Sequence, residues 1–456
     1  MLKQNNRYAT TLLPASIDEY VPAKHVARYV VDMAEDLDLS ELEAQYSTTM
    51  GRKGYRPVTL LTLWLYGYMK GINSSRKLEQ ATRENMVFMY ISVGQHPDHS
   101  TLSQFRKRNG EAFKKAASEF LQMLVNVGLV DLKTLAIDGT KLKANAAREK
   151  MVTAATAHRR IQVIDKHLQD MSEQMDRAEA EDNLGAPLAL VSPAVEAAIK
   201  KRRAEKKELL ELVAELKAED ARRLAEEQAS YEEKMAARQR YQQETGKTKR
   251  GRSPQPPGDQ PSRVAHRHMT DAEAKLMKSR EGIVPGYNAQ AGVDIDTQLI
   301  VTADVTTDAT DHQQVEPVLE ALSEQTATQA DSEQASDRIN LLADAGYYSA
   351  ANVAACETAN VNAYIAKHRN GTVTEPKVKQ SKDVSKMVKR MTTDEGKALY
   401  RRRKSSVETT FGCIKEAMGF RVPRLRGLSG VQTEWQLVCL AWNLKRAFNL
   451  WGRGLC

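Results

Sequence analysis

Cysteine is scarce in this 456-residue chain: Cys356, Cys413, Cys439 and Cys456 all fall towards the C-terminal end, and none forms a CxxC pair. They are too few to staple a fold, they outline no zinc site, and they suit a reducing cytoplasm. Long apolar runs are missing too. The longest, Leu60–Met69, is far shorter than the roughly 18–20 residues that span a bilayer, so no membrane is expected as a partner. The opening MLKQNNRYAT has no apolar segment of the secretory kind. Gly246-Lys247-Thr248 lacks the earlier glycine of a phosphate-cradling P-loop, and no dinucleotide-binding glycine fingerprint occurs. Nucleotide-driven and nicotinamide chemistry are thereby disfavoured.

What is present is ample core and an uneven charge. Hydrophobic residues make up 41% of the chain, which excludes full disorder, and the length suits two or three domains. The formal net charge is +8, yet Val361 to Cys456 holds 20 Lys and Arg against 7 Asp and Glu, so the first 360 residues are net acidic. A basic surplus gathered at one end favours a polyanion partner, because binding one releases counterions. A merely solubilising face is the competing explanation.

Residues 1–130 read as a helical N-terminal domain. Leu60, Leu61, Leu63, Trp64 and Tyr68 recur at near-helical spacing after Pro57, a good first-turn residue. Ser100 is placed to cap one long helix ending at Gly128, with Leu102, Phe105, Phe113, Ala117, Phe120, Leu121 and Leu124 as its apolar stripe. Lys107, Arg108, Lys114 and Lys115 then share a polar face that either meets DNA phosphates or simply faces water, while Arg106 lies nearer the apolar side.

Residues 151–261 break this pattern. Ile161, Ile164, Leu168, Met171 and Met175 follow the 3-4-3-4 spacing of a coiled-coil seam. After NLGAPLALVSP, with Pro187 and Pro193, a second helical run from Ala194 to about Glu244 carries Leu209, Leu212, Val213 and Leu216, which predicts an antiparallel hairpin. Gly246 to Arg263 reads as a flexible linker. Strand-like segments flank the insertion: LKTLAIDGTKL, two β-rich runs joined at DIDTQ, Arg338–Ala343, and VNAYIAK after a helix over Ala350–Ala359. Strands alternating with helices predict an α/β domain, 131–150 plus 262–456, split by the insertion.

Three acids stand out. Asp138 and Asp344 each follow a short apolar run, so a strand would deliver each carboxylate to a sheet edge, although an Asp in that place also suits a plain turn. Glu408 lies in a predicted helix just after Arg401, Arg402, Arg403 and Lys404. Hard divalent cations take oxygen ligands, and three carboxylates beside a basic surface fit two-metal phosphodiester chemistry. In a regular helix Lys404, Glu408, Phe411 and Lys415 share one face, which suits either a metal and phosphate grip or a surface Glu–Lys ladder. His266 and His268 are expected to be solvent-exposed rather than metal ligands. Asp294, Asp296, Asp304, Asp308 and Asp311 crowd the turns, where one of them could support the site from behind. Trp435, Val438, Trp442 and Trp451 form the apolar stripe of a closing helix.

AIDGTKLKANA around Asp138, DAEAKLMKSREGIVPGYNAQAGVD, LLADAGYYS around Asp344 and SSVETTFGCIKEAMGFRVPRLRG around Glu408 together resemble the DDE transposases of bacterial insertion sequences. GRKGYRPVTLLTLWLYGYMKGINSSRKLEQ is similar to the helical domain that precedes the catalytic domain in one branch of them. The resemblance implies an RNase H-like mixed sheet with flanking helices, here interrupted by a long coiled-coil insertion and preceded by an all-α domain. It implies that Asp138, Asp344 and Glu408 are catalytic and bind two Mg²⁺ ions, for which Mn²⁺ can substitute.

Some relatives carry a Tyr-x2-Arg-x3-Glu-x6-Lys signature. Lys415 fits it, whereas Lys404 stands at the Arg position, and Tyr400 and Arg403 are one residue too far from Glu408. Tyr400, Arg401, Arg402, Arg403, Lys404 and Lys415 are the expected DNA contacts. The implied reaction is hydrolysis at the element ends followed by attack of the exposed 3′-hydroxyl on target DNA, without a covalent protein–DNA intermediate. The expected partners are terminal repeats, target DNA and a second copy of the chain, in the bacterial cytoplasm at the nucleoid. A nuclease that never joins strands and a DNA-binding structural protein are the alternatives.

Overall fold

A computed structural model describes residues 16–44, 54–182, 193–279, 282–327, 338–367 and 381–451. MLKQNNRYAT, the turn around Pro187, the side chain of Met175 and Cys456 lie outside the described residues. The chain divides into two units, Met1–Asn145 with Met277–Cys456, and Ala146–Leu276.

The first unit begins with helices α1 (Val26–Glu35), α2 (Ser40–Ala44), α3 (Pro57–Met69), α4 (Ser75–Glu84), α5 (Met86–Ile91), α6 (His99–Arg108) and α7 (Gly110–Asn126). Pro57 opens α3 where its missing N–H costs nothing, and Leu60, Leu61, Leu63, Trp64 and Tyr68 are all buried. The single long helix expected after Ser100 is in fact two. Asp98, not Ser100, is the cap, accepting from the Ser100 and Thr101 amides. The break comes at Asn109, whose side chain turns back to the Phe105 carbonyl at 2.7 Å. At Gly110 a Cβ would lie 2.5 Å from Thr433 Oγ1, so only glycine lets α7 start this close to the C-terminal helix. Ala116 rather than Ala117 is buried.

Arg106 sinks into this core beside Glu434. Its Nη1 lies 2.9 Å from Glu434 Oε1 and 3.0 Å from Tyr68 Oη, and its guanidinium stacks 4.1 Å over the Trp64 ring. Glu434 Oε2 in turn accepts from the Arg424 and Leu425 amides at 2.6 and 2.7 Å, which pins the basic stretch RVPRLRG. Strand β1 (Thr134–Lys143) follows.

The second unit is built on β2 (Met151–Val152), α8 (Ala154–Asp182), α9 (Pro193–Thr245) and β3 (Arg267–His268), which pairs with β2. Val152, Ala157, Ile161, Ile164, Leu209 and Val213 form its core. The helices run antiparallel: Arg160 meets Glu205, while Arg267, paired with Val152 at the start of α8, reaches Glu215 and Glu219. Helix α9 outruns α8. Past Asp220 it is accompanied by the segment expected as a flexible linker, which is instead strapped to it. Arg223 donates to the Arg263 carbonyl, Glu227 accepts from Ser262, and Arg238 donates to the carbonyls of Lys249, Gly251 and Arg252. His266 is exposed, but His268 is buried, with Nε2 2.8 Å from the Ala147 carbonyl.

The remaining strands are β4 (Lys275–Ser279), β5 (Gly282–Asp294), β6 (Ile300–Thr306), β7 (Asn340–Ala343) and β8 (Asn362–Ile365). They join β1 in a mixed sheet ordered β4-β5-β1-β7-β8, with β6 also on β5. β1 is antiparallel to β5 and parallel to β7, and β8 is parallel to β7. Flanking helices are α10 (Val315–Ala327), α11 (Ala350–Thr358), α12 (Lys382–Thr392), α13 (Asp394–Arg403), α14 (Thr409–Glu416) and α15 (Leu428–Trp451). Trp435 and Trp442 of α15 are buried and donate to the Gln290 and Gln298 carbonyls, fastening the helix to the β5–β6 hairpin, whereas Trp451 is exposed. Among the described residues no helix is long and apolar enough to cross a membrane.

Candidate active site

The apolar run Leu135-Ala136-Ile137 is fully buried because β1 lies between two neighbours, and Asp138 is the first partly exposed residue along it. The strand does not end there but continues to Lys143 against β5, so Asp138 stands inside it. Ala136 pairs with Leu342 at the last parallel position, and Asp138 and Asp344 each lie two residues beyond it. The parallel register therefore sets the two acids level, Asp138 inside β1 and Asp344 just past the end of β7.

Each carboxylate is oriented by backbone. Asp138 Oδ1 accepts from the Gly139 amide, and Asp344 Oδ1 from the Gly346 amide, both at 2.8 Å. Burial, helped by the neighbouring charges of Asp344 and Asp311, pushes the Asp138 carboxyl up to about 6 in spite of the opposing Arg403 guanidinium.

Glu408 arrives from the other side. Between α13 and α14 the helix opens into a single π turn, Lys404–Glu408, which stacks each residue over the one five places on. Arg403 thereby comes into line with Glu408: its Nη2 lies 3.1 Å from Glu408 Oε1 and its Nη1 3.3 Å from Asp138 Oδ2. Lys404, which a regular helix would have given this place, is exposed and makes no ion pair among the described residues. The π turn thus absorbs the extra residue between Arg403 and Glu408.

Of the other expected contacts, Tyr400 is tied to the backbone beside Asp344 and Lys415 to that of β1, while Arg402 turns to the β5–β6 turn. Tyr400 donates its hydroxyl to the Ala343 carbonyl at 3.1 Å, directly before Asp344. Lys415 Nζ donates to the Lys141 carbonyl at 3.1 Å. Phe411 is buried against Trp435. Arg402 pairs with Asp296, and Arg401 is exposed.

Asp311, one of five turn acids, proves to be part of the site. Its Oδ1 accepts from Asn288 Nδ2 at 2.7 Å, Gln290 Nε2 at 2.8 Å and Lys141 Nζ at 3.2 Å. Gln290 also accepts from the Tyr347 hydroxyl, in the turn after Asp344. A Cβ on Gly139 would lie 2.4 Å from Asp311 Oδ1, so glycine after Asp138 is what lets this carboxylate close over the strand. Nothing in its local sequence separates Asp311 from Asp304 or Asp308.

Among the described residues no three His, Cys, Asp or Glu side chains are gathered tightly enough to hold a metal ion, and the Arg403 guanidinium stands between Asp138 and Glu408 as their counter-charge. The donors nonetheless fit a hard divalent cation. All are carboxylate oxygens, and a cation would relieve the repulsion from Asp344 that, after burial, helps raise the Asp138 carboxyl.

Neither a curated protein nor a solved structure shows a significant match to the chain. Two domain families do match: residues 15–108 the transposase domain DUF772, and residues 260–444 the transposase DDE domain, which covers Asp344 and Glu408. With these two domains in this order, the chain belongs to the transposases of the DDE type, consistent with an insertion-sequence element.

Proposed function

We propose that the chain cuts DNA at the ends of its own insertion sequence and joins the exposed 3′-hydroxyl to target DNA. The observation that carries this reading is the meeting of Asp138 and Asp344, level on two parallel strands, with Glu408, tied to Asp138 through Arg403. The strand order β6-β5-β1-β7-β8, three antiparallel then two parallel, supports an RNase H-like core formed by 131–150 and 262–456. Asp138, Asp344 and Glu408 would hold Mg²⁺, or Mn²⁺ in its place. When bound, such ions supply electrophilic polarisation of the phosphodiester and of the attacking oxygen.

The chain's own groups do the rest. Arg403 holds Glu408 and Asp138 in place until that charge is taken over. Tyr400 orients the backbone before Asp344, and Lys415, Arg401, Arg402 and Lys404 offer positive charge to the DNA backbone. The helical segment 1–130 would read the terminal repeats, and the insertion 151–261 would bring two copies, and so two ends, together. The reaction belongs in the cytoplasm, where the element's DNA is.

The test is cleavage with Mg²⁺ of a fragment bearing the element's ends, comparing wild type with Glu408→Ala and checking that both bind. Nicks and strand-transfer products from wild type alone are expected. Binding without cutting by either protein, across a range of divalent metals, would overturn the reading, and nicks without joined products would reduce it to a nuclease.

A further inference from the structure

The insertion carries its own basic surface. Averaged over the first 360 residues the chain is acidic, and this hides a local reversal: between Lys234 and Gly258 there are seven Lys and Arg against one acid, Glu244. Six of the seven are exposed, Lys234 along α9 and Arg240, Lys247, Lys249, Arg250 and Arg252 around its end, and none of these six forms an ion pair among the described residues.

The loop that presents them is held rather than loose. The Arg238 guanidinium donates to three of its backbone carbonyls, those of Lys249, Gly251 and Arg252, each at 2.9 Å. The Gly246 amide closes the helix end on Gln242, and φ is +64° at Gly246 and +108° at Gly251, values that glycine adopts without strain. Holding the loop in advance lowers the ordering entropy lost on binding. The tip is also remote within its unit: Thr245 lies 25 residues beyond Asp220, where the Ala265 amide meets α9, or about 38 Å along the axis at ~1.5 Å per residue.

From this we infer that the end of α9 and the loop 246–252 form a second, sequence-independent contact for the phosphate backbone of duplex DNA, separate from the basic C-terminal segment. The inference rests on the transposase reading for the identity of the polyanion. Lysines and arginines spaced by glycine and threonine grip phosphates.

The experiment measures the affinity of the full chain for an arbitrary linear duplex over a range of salt, with no divalent metal present. Each phosphate contact contributes about −0.9 to the slope of log K against log salt. The triple variant Lys247→Gln, Lys249→Gln, Arg250→Gln is expected to flatten the slope by about 2–3. A control of equal charge change on the first part of α9, Lys200→Gln, Lys201→Gln, Arg203→Gln, is expected to leave it unchanged. An unchanged slope in the tip variant, or an equal change in the control, overturns the inference while leaving the transposase reading intact. A tip variant that alters self-association but not the slope overturns it as well, in favour of an acidic protein surface. Failure of wild type to bind any duplex would defeat both readings.

Discussion

The Arg403 guanidinium lies 3.1 Å from the carboxylate of Glu408, five residues further along a helical segment in which residues five apart would ordinarily point well away from each other. One π turn makes the pairing possible, and with it Arg403 also reaches Asp138, 265 residues away in sequence. The extra residue has been accommodated in the backbone, so Arg403, rather than Lys404, serves the acid.

Arg403 and Lys404 should therefore separate sharply. Arg403→Ala is expected to lower cleavage of element ends by about 10² or more, the scale of losing one charge-stabilising group in an active site, while Lys404→Ala stays close to wild type. Rates measured with Mg²⁺ at matched DNA occupancy check this. Equal losses in the two variants would put the counter-charge at the wrong residue.

Stability of the metal-free protein should fall as pH rises through the range of Asp138. A carboxyl held at about 6 in the folded chain, against about 3.9 when unfolded, binds more protons folded than unfolded between those values. Folding is thus favoured below about pH 4 relative to above about pH 6, by on the order of 2–3 kcal/mol from this group. Asp138→Asn should remove that slope and be the more stable protein at pH 8. Thermal unfolding in chelator at several pH values reads it out, and parallel curves for the two proteins would refute it.

Asp311 should matter out of proportion to its place in a turn. Asp311→Ala leaves Lys141, Asn288 and Gln290 without their shared acceptor, and Asn288 already has its Oδ1 buried without a partner among the described residues. A loss of about 1–3 kcal/mol is expected from the stranded polar groups. Cleavage should fall with it, because Gln290 also holds Tyr347 beside Asp344. Asp311→Asn keeps an acceptor oxygen and should be milder, so denaturant midpoints that rank Asn as low as Ala would argue against the network.

The buried Arg106–Glu434 pair gives a prediction about the scaffold. Glu434→Ala strands a guanidinium that is 3% exposed and frees the Arg424 and Leu425 amides. Breaking such a pair from one side costs about 3–5 kcal/mol. The unfolding midpoint should drop accordingly, and a shift no larger than that of an exposed pair, such as Arg56–Glu35, would contradict it.

Much of this was legible in the residues themselves. The apolar spacing of α3, the apolar runs leading into Asp138 and Asp344, the turn between β5 and β6 and the seam of α8 are local patterns, although the continuation of β1 past Asp138 is not among them, and local periodicity decides which face of an element is buried. Such patterns determined the alternation of strands and helices around a long helical insertion, while reading Asp138, Asp344 and Glu408 as one set took the resemblance to a family. The tertiary structure decided the rest, because it depends on contacts that no window of sequence contains. Only the packed chain selects Arg403 over Lys404, Asp311 over its four neighbouring acids, the strap along α9 over a loose linker, and a core position for Arg106, whose partner Glu434 is 328 residues away.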